Sequence, residues 1–186
     1  MLINSLLKGK KVRLTSLNEE DFPKIYEWYN DAYSLRLFDT IPSYPYSQEH
    51  ISNWIKDKQK SSNDYVFAIR NIVNDDFLGY IDLNSISWNN RVATLSIGIG
   101  ASDVRGKGYG TEAMQLILEF GFHELNLHRI QLSVLSYNEP AIGLYEKVGF
   151  VKEGCFREYV QRDGKKYDMY LYGILYEEWL KLNKGQ

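Results

Sequence analysis

The sequence predicts an α/β fold in which one mixed β-sheet is flanked by helices. Two features support this prediction: segments with strand-like alternation interleave with segments of helical periodicity, and short polar turns join neighbouring strand candidates in both the middle and the last part of the chain. Helical crossovers favour parallel pairing and tight turns favour antiparallel pairing, so one sheet should contain both. The 186 residues, 44% of them hydrophobic, suit one globular domain spanning residues 1–186.

The first part of the chain is predicted to hold a strand followed by two helices. Residues 11–15 read as a short strand, and Asn18 then precedes an acidic first turn, which suits the positive end of a helix dipole. Ser47 opens a second helix. Pro42 and Pro45 disfavour helix between the two, so residues 41–46 are expected to form an ordered loop.

Six further strands and two further helices are predicted beyond residue 60. The strands are bounded by residues typical of turns and cover residues 65–70, 77–87, 91–100, 129–135, 156–161 and 167–175. The helices carry apolar residues at helical spacing and cover residues 110–125 and 138–149, the second capped by Asn138. Tight turns are expected at residues 73–76, 88–90 and 163–164.

Composition excludes several classes of function. The 22 Lys and Arg residues and 24 Asp and Glu residues give a net charge of −2, so general nucleic-acid binding is not expected. Cys155 is expected to be a small core residue. A single cysteine cannot form an internal disulfide, and the three histidines do not fall at a metal-ligand spacing such as i, i+4, so neither a disulfide nor a metal site is expected. No apolar run approaches about 18 residues, so we expect a cytoplasmic protein without membrane association.

A glycine-rich turn between a strand and a helix is the most informative segment. It contains Gly106, Gly108 and Gly110, and Arg105 and Lys107 add positive charge. Backbone N–H groups at a helix N-terminus can hold a phosphate, and glycines let the phosphate approach the backbone. The pattern therefore predicts a phosphate-binding turn; the alternative is a tight turn without a ligand.

Two common nucleotide-binding motifs do not fit this turn. A P-loop needs Ser or Thr directly after its Gly-Lys pair, whereas Gly108 follows Lys107. A dinucleotide fingerprint starting from Gly106 and Gly108 needs a third glycine at the position of Thr111. A phosphate ligand of another kind is therefore expected.

Two blocks resemble the motifs of the GNAT acyl-CoA-dependent N-acetyltransferases. The pattern Arg105-x-x-Gly108-x-Gly110 resembles the pyrophosphate loop of that superfamily, and residues 138–150 resemble its second motif, in the right order along the chain. The tail, from residues 153–159 onward, resembles the branch that contains ribosomal-protein N-terminal acetyltransferases and polyamine acetyltransferases. The resemblance covers nearly the whole chain.

The resemblance implies a fold, a co-substrate and the residues that hold it. The GNAT fold has a mixed, mostly antiparallel sheet with helices on both faces, here splayed near residues 97–99. Acetyl-CoA is the implied co-substrate, with its pantetheine arm on that strand and its pyrophosphate in the glycine-rich turn. The implied acetyl-CoA-binding residues are Ile97, Gly98, Ile99, Arg105, Gly106, Lys107, Gly108, Tyr109, Gly110, Thr111, Asn138 and Ala141.

The resemblance also implies roles for individual polar side chains. Tyr145 matches a family tyrosine that protonates the departing CoA thiolate, although its place on an apolar helical stripe also fits a core residue. Thr94 stands where many relatives carry a glutamate base. Asp82 is the candidate to replace that base, and Asp39 is the candidate to attract a cationic acceptor. For both aspartates a solvated loop or edge position is the alternative.

The missing glutamate favours an acceptor amine of low pKa. Deprotonation at pH 7 costs about 1.4 kcal/mol for an α-amine and about 4.6 kcal/mol for a side-chain amine. We therefore expect direct transfer of an acetyl group to a protein or peptide N-terminal α-amine. A polyamine or other small-amine acetyltransferase and a non-catalytic CoA-binding regulatory module are the alternatives, and a homodimer is one expected assembly.

Overall fold

The computed structural model describes residues 6–100 and 106–183, which form a seven-stranded sheet with six α-helices. The strands are β1 (Val12–Thr15), β2 (Tyr65–Asn71), β3 (Phe77–Ser87), β4 (Val92–Ile99), β5 (Arg129–Leu135), β6 (Val151–Arg162) and β7 (Lys165–Leu175). The helices are α1 (Phe22–Asn30), α2 (Ala32–Phe38), α3 (Gln48–Lys60), α4 (Tyr109–Glu119), α5 (Glu139–Lys147) and α6 (Tyr176–Asn183). A π-helical turn, Phe120–Glu124, extends α4.

The sheet is mixed and mostly antiparallel, as predicted. Its strand order is β1-β2-β3-β4-β5-β7-β6. Among the described strands, β4 and β5 pair in parallel and every other neighbouring pair is antiparallel. The connection from β4 to β5 carries α4, which is the helical crossover that parallel pairing requires.

Helices cover both faces of the sheet, which also confirms the prediction. Successive residues of a strand point to opposite faces. In β2, Ala68 packs with Ile25 of α1 and Ile55 of α3, whereas the next residue, Ile69, belongs to the cluster that contains Ile117 of α4. The apolar faces of α1 and α3 are thus buried on one side of the sheet, and that of α4 is buried on the other side.

Side-chain caps explain where two helices begin. The Ser47 hydroxyl accepts a hydrogen bond from the His50 N–H at 3.1 Å at the start of α3. The Asn138 side-chain oxygen accepts the Ala141 N–H at 3.3 Å at the start of α5. Pro140 lies in the first turn of α5, where the N–H that proline lacks has no helical partner to lose. Both caps were predicted from the sequence.

The structure adds elements that the sequence patterns did not predict. Helix α2 has only seven residues, too few to show a periodicity, and the Asp31 carboxylate caps it by accepting the Ser34 N–H at 2.9 Å. Helix α6 was also missed, and β6 begins at Val151 rather than at residue 156. The expectation that Cys155 lies in the core is wrong, because edge strand β6 leaves its side chain exposed.

Candidate functional site

A cavity opens where the two parallel strands of the sheet separate. Strands β4 and β5 pair through three residues, the last being Thr94 with Gln131. Beyond this point the edge of β4 that faces β5, residues 95–99, has no strand partner among the described strands. The resulting cavity has a volume of about 930 Å³ and extends from the glycine-rich turn to α2 and α3. The predicted splay thus begins just before residues 97–99.

Most of the residues predicted for the site line this one cavity. They are Asp39, Asp82, Ile97, Ile99, Gly106, Gly108, Tyr109, Gly110, Thr111, Asn138, Ala141 and Tyr145. Gly98 does not line it: a Cβ at Gly98 would lie 3.0 Å from the ring of Tyr80, so glycine permits close strand packing there. Lys107 is exposed beside the cavity. Arg105 lies outside the described residues.

The glycine-rich turn has the backbone geometry that a phosphate cradle needs. Gly106 and Gly108 have φ values of +74° and +86°, in the left-handed region that favours glycine. The Glu112 N–H donates to the Gly108 carbonyl at 3.1 Å. The N–H groups of residues 109–111 precede this helical bond, so they have no helical acceptor and are available to an anion. Among the described residues, nothing lies within 4 Å of the position that a Cβ on Gly106 would occupy.

Tyr145 lies at the cavity with its ring buried. The residue is 7% exposed, and its ring packs against Phe150 and Tyr172 at centroid distances of 6.1 and 6.5 Å. Among the described residues the Tyr145 hydroxyl has no hydrogen-bond partner. Burial raises the pKa of Tyr145 from 10.0 to about 12, so the hydroxyl stays protonated at neutral pH. A core ring and a cavity-facing proton donor are therefore compatible.

Asn138 connects α5 to the opposite side of the cavity. Its side-chain oxygen caps α5, and its side-chain nitrogen donates to the Leu37 carbonyl of α2 at 3.2 Å. The neighbouring Tyr137 hydroxyl donates to the Arg36 carbonyl. These two contacts hold α2 against the start of α5, so Asn138 has a structural role in addition to its predicted contact with acetyl-CoA.

Asp82 is buried and already paired. It lies on β3 with 1% of its surface exposed, so the alternative of a solvated loop or edge position is wrong. Its carboxylate accepts hydrogen bonds from Lys58 Nζ at 2.9 Å and from Asn84 Nδ2 at 2.7 Å. Lys58 comes from α3, and the ion pair it forms was not predicted. Thr94 also lines the cavity, opposite Asn84 in the β3–β4 register.

Asp39 lies on the exposed side of the cavity, immediately after α2. One carboxylate oxygen accepts the N–H groups of Thr40 at 2.6 Å and Ile41 at 3.2 Å. The guanidinium of Arg162 donates to the carbonyls of Asp39 and Ile41 at 2.9 and 3.0 Å. These bonds fix the carboxylate and the backbone carbonyl of Asp39 at the edge of the cavity.

Aromatic side chains line the cavity between the two aspartates. The hydroxyls of Tyr29 and Tyr80 are 2.6 Å apart, and the ring of Trp54 lies 5.5 and 5.9 Å from their rings. Burial raises the pKa of Tyr29 to about 12 and that of Tyr80 well above its usual 10.0. The hydroxyl pair is therefore neutral. The sequence identified these aromatic residues only in general terms, as core or pocket walls, because no local pattern joins α1 to β3.

The fold and the turn match one known family. A model described as an acetyltransferase (GNAT) domain matches residues 11–151 of the chain. The chain belongs to the GNAT acetyltransferase family. The predicted family resemblance is thereby confirmed, together with the coarse activity: this GNAT protein is an acetyl-CoA-dependent N-acetyltransferase.

Relatives and solved structures place this GNAT protein near two kinds of acetyltransferase. A protein named uncharacterized N-acetyltransferase YnaD, of Bacillus subtilis, is 29% identical over 171 residues, 91% of this chain and 96% of the relative. A putative ribosomal N-acetyltransferase, YdaF, of the same species is 32% identical over 101 residues, 54% of this chain and 55% of the relative. The structure of Vibrio cholerae spermidine N-acetyltransferase with CoA and spermine superimposes with a TM-score of 0.82 at 26% identity, covering 91% of this chain and 98% of that one.

The geometry of this GNAT protein fits acetyl-CoA. The open left-handed glycines can accommodate a pyrophosphate, and the unpaired edge of β4 can pair with the pantetheine arm. Within residues 6–100 and 106–183, no group of three or more His, Cys, Asp or Glu side chains is placed to hold a metal ion. In the same part of the chain no helix is long and apolar enough to cross a membrane.

Proposed function

We propose that this enzyme acetylates an amine of low pKa that brings a single positive charge, of the kind found at a peptide N-terminus. The Lys58–Asp82 ion pair carries the proposal. Asp39 and Asp82 supply the carboxylates among the described residues lining the cavity, and Lys58 already neutralises Asp82. Asp39 therefore remains to attract the acceptor, and one carboxylate matches an acceptor with one ammonium group better than an acceptor with several.

The same ion pair disfavours Asp82 as a general base. Both oxygens of the Asp82 carboxylate are engaged before an amine arrives, one by the Lys58 ammonium and the other by the Asn84 amide. Thr94 cannot act as a base at neutral pH. An acceptor whose amine is partly deprotonated in water therefore has the advantage, and α-amines, with a pKa near 8, meet this condition.

The remaining roles fall to the residues along the cavity. Bound acetyl-CoA supplies an activated acetyl thioester. The unpaired edge of β4, residues 95–99, presents backbone N–H groups that can donate to the acetyl carbonyl, and such donors lower the barrier by about 3 kcal/mol in comparable sites. The neutral Tyr29–Tyr80 hydroxyl pair can accept a hydrogen bond from the amine. The Tyr145 hydroxyl holds the proton for the departing thiolate.

A polyamine is the second candidate acceptor. The structural similarity to a spermidine N-acetyltransferase favours it, and the rings of Tyr29, Trp54 and Tyr80 could contact an ammonium through their faces. Against it stands the charge of the cavity, because among the described lining residues Asp39 is the one carboxylate without a cationic partner, whereas a polyamine brings several ammonium groups.

An acceptor comparison at constant pH tests the proposal. Thiol release from acetyl-CoA is followed with a peptide that has a free Ser or Ala N-terminus, the same peptide with its α-amine blocked and one lysine present, and spermidine. We expect the free N-terminus to give the highest kcat/KM and the blocked peptide to give almost none.

Two results would contradict the proposal. A kcat/KM for spermidine above that of the free peptide would assign the acceptor to the polyamines. Thiol release with the blocked peptide equal to that with the free peptide would show that lysine side chains are accepted. Measuring the free peptide across pH adds a check, because its rate should follow deprotonation of an amine with a pKa near 8.

A further inference from the structure

A lysine from the start of the sheet reaches the glycine-rich turn on α4. Lys11 precedes β1, and its Nζ donates to the carbonyl of Lys107 at 2.9 Å. The same Nζ lies 3.1 Å from the position that a Cβ on Gly108 would occupy. The Lys11 ammonium thus lies against Lys107 and Gly108 in the predicted phosphate cradle, although Lys11 is 96 positions upstream of Lys107 and outside both family motifs.

The Lys11 ammonium has N–H donors that are not used within the described part of the chain. An ammonium group has three N–H donors, and one of them is used by the Lys107 carbonyl. Within the part of the chain that the structure describes, Lys11 forms no salt bridge. Its side chain is exposed on the side of the turn. The charge and the free donors therefore remain available to an anion that enters the turn.

Glu112 fixes the backbone that carries Lys11. Its carboxylate accepts the N–H groups of Lys10, Lys11 and Val12 at 2.9, 2.7 and 2.7 Å. Gly9 lies against the same side chain, where a Cβ would be 2.5 Å from the carboxyl carbon. A glutamate in the first turn of a phosphate-binding helix would repel the ligand if its charge were free. Here the three backbone N–H groups stabilise the Glu112 carboxylate, and the backbone segment that supplies them carries the Lys11 ammonium to the turn.

We propose that Lys11 binds the pyrophosphate of acetyl-CoA and that Glu112 is the residue that positions it. The ammonium adds a charge-assisted hydrogen bond to those of the backbone N–H groups of residues 109–111. The proposal rests on the use of acetyl-CoA by the family and not on the identity of the acceptor amine.

Titration calorimetry with Lys11→Met and the matched control Lys8→Met tests this contact. Lys8 is also exposed, three residues earlier, and among the described residues its side chain forms no hydrogen bond or salt bridge with the turn or with Glu112. CoA and dephospho-CoA, which lacks the 3′-phosphate, are titrated into each protein at one salt concentration. We expect Lys11→Met to weaken the binding of both ligands about tenfold, because the hydrogen bond that is lost joins the Lys11 ammonium to a charged phosphate near the surface. Lys8→Met should change neither by more than about twofold.

The two ligands and two further variants make the outcome decisive. Unchanged affinity in Lys11→Met overturns the proposal, and so does a loss for CoA that is absent for dephospho-CoA, because that places Lys11 at the 3′-phosphate. Lys11→Arg should restore most of the affinity, since it keeps the cation. Glu112→Gln should weaken CoA binding, and the double variant Glu112→Gln with Lys11→Met should bind CoA little more weakly than Lys11→Met alone. Fully additive losses of affinity would show that Glu112 does not position Lys11.

These titrations are independent of the proposed acceptor. They contain no amine, so a failed acceptor assignment leaves their result unchanged. Melting temperatures of the unliganded variants are measured in parallel. A CoA affinity that is lost only in variants that are partly unfolded at the titration temperature would also overturn the assignment of Lys11 as a ligand contact.

Discussion

The Lys58–Asp82 ion pair allows stability and specificity to be tested with one substitution. Lys58→Met keeps much of the side-chain volume and leaves the Asp82 carboxylate buried without its cation. The side chains of Lys58 and Asp82 are 19% and 2% exposed, so water can do little to replace the lost partner. Lys56→Met, on the same helix, is the matched control, since Lys56 pairs with Glu19 at the surface, where the two side chains are 43% and 76% exposed.

The geometry sets the size of the expected effect. At 2.9 Å and an effective dielectric constant of about 20, the attraction between the two charges is about 6 kcal/mol, and the loss of hydration offsets much of it. Removing one partner of such a pair costs about 3 kcal/mol in the free energy of unfolding. In a chain of 186 residues this lowers the Tm by about 6 to 12 °C. The exposed Lys56 pair should be worth less than about 1 kcal/mol.

Urea denaturation and acceptor kinetics give two readouts for the same variant. Lys58→Met should lose about 3 kcal/mol, and adding Asp82→Asn should restore part of it, because the double variant no longer buries a lone charge. A spermidine ammonium can take the place of the Lys58 ammonium beside Asp82. Added spermidine should therefore raise the Tm of Lys58→Met, and the KM of this variant for spermidine should be severalfold lower than that of the unaltered enzyme. A loss no larger than that of Lys56→Met, or an equal effect of spermidine on both proteins, would refute the reasoning.

Other predictions concern the remaining site residues. Tyr145→Phe should lower kcat about tenfold to a hundredfold with little change in Tm or in KM for acetyl-CoA, whereas full activity with a lower Tm would make Tyr145 a core residue only. Because burial raises the pKa of Tyr145 to about 12, kcat should show no alkaline fall from this group below pH 10. Gly108→Val should abolish the rise in Tm that CoA causes, since valine disfavours a φ of +86°. Asp39→Asn should raise KM for a cationic acceptor more than it lowers kcat.

The parts of the fold that could be predicted are those whose signal is local. Seven strands, the glycine-rich turn and the cap at Asn138 were each predicted from contiguous residues, because alternation, glycine spacing and capping act over a few positions. Helix α2 was missed because seven residues cover barely two turns. Cys155 was misplaced because a small apolar residue carries no information on whether its strand lies at the edge of the sheet.

The parts of the site that could not be predicted are pairs of distant residues. Asp82 was a candidate from the sequence, but its partner Lys58 lies 24 positions earlier on a different element. Lys11 and Lys107 are 96 positions apart, and Tyr29 and Tyr80 are 51 apart. Each contact depends on which strands are neighbours and which helix covers which face. These are properties of the folded topology, and no spacing rule within a segment encodes them.

The pairing of Asp82 changes how catalysis at this site has to work. A free carboxylate near the amine can remove its proton; here Thr94 lines the cavity, and the buried carboxylate that lines it, Asp82, accepts hydrogen bonds from Lys58 and Asn84. At pH 7 about a tenth of an amine with a pKa near 8 is already neutral, so reacting through the neutral form adds about 1.4 kcal/mol to the barrier. One backbone N–H of β4 that donates to the acetyl carbonyl, as proposed above, would contribute about 3 kcal/mol, which exceeds that cost. For a side-chain amine the cost is about 4.6 kcal/mol and the donor alone no longer suffices. Preorganised donors in a splayed sheet can therefore replace a general base only when the acceptor amine is weakly basic.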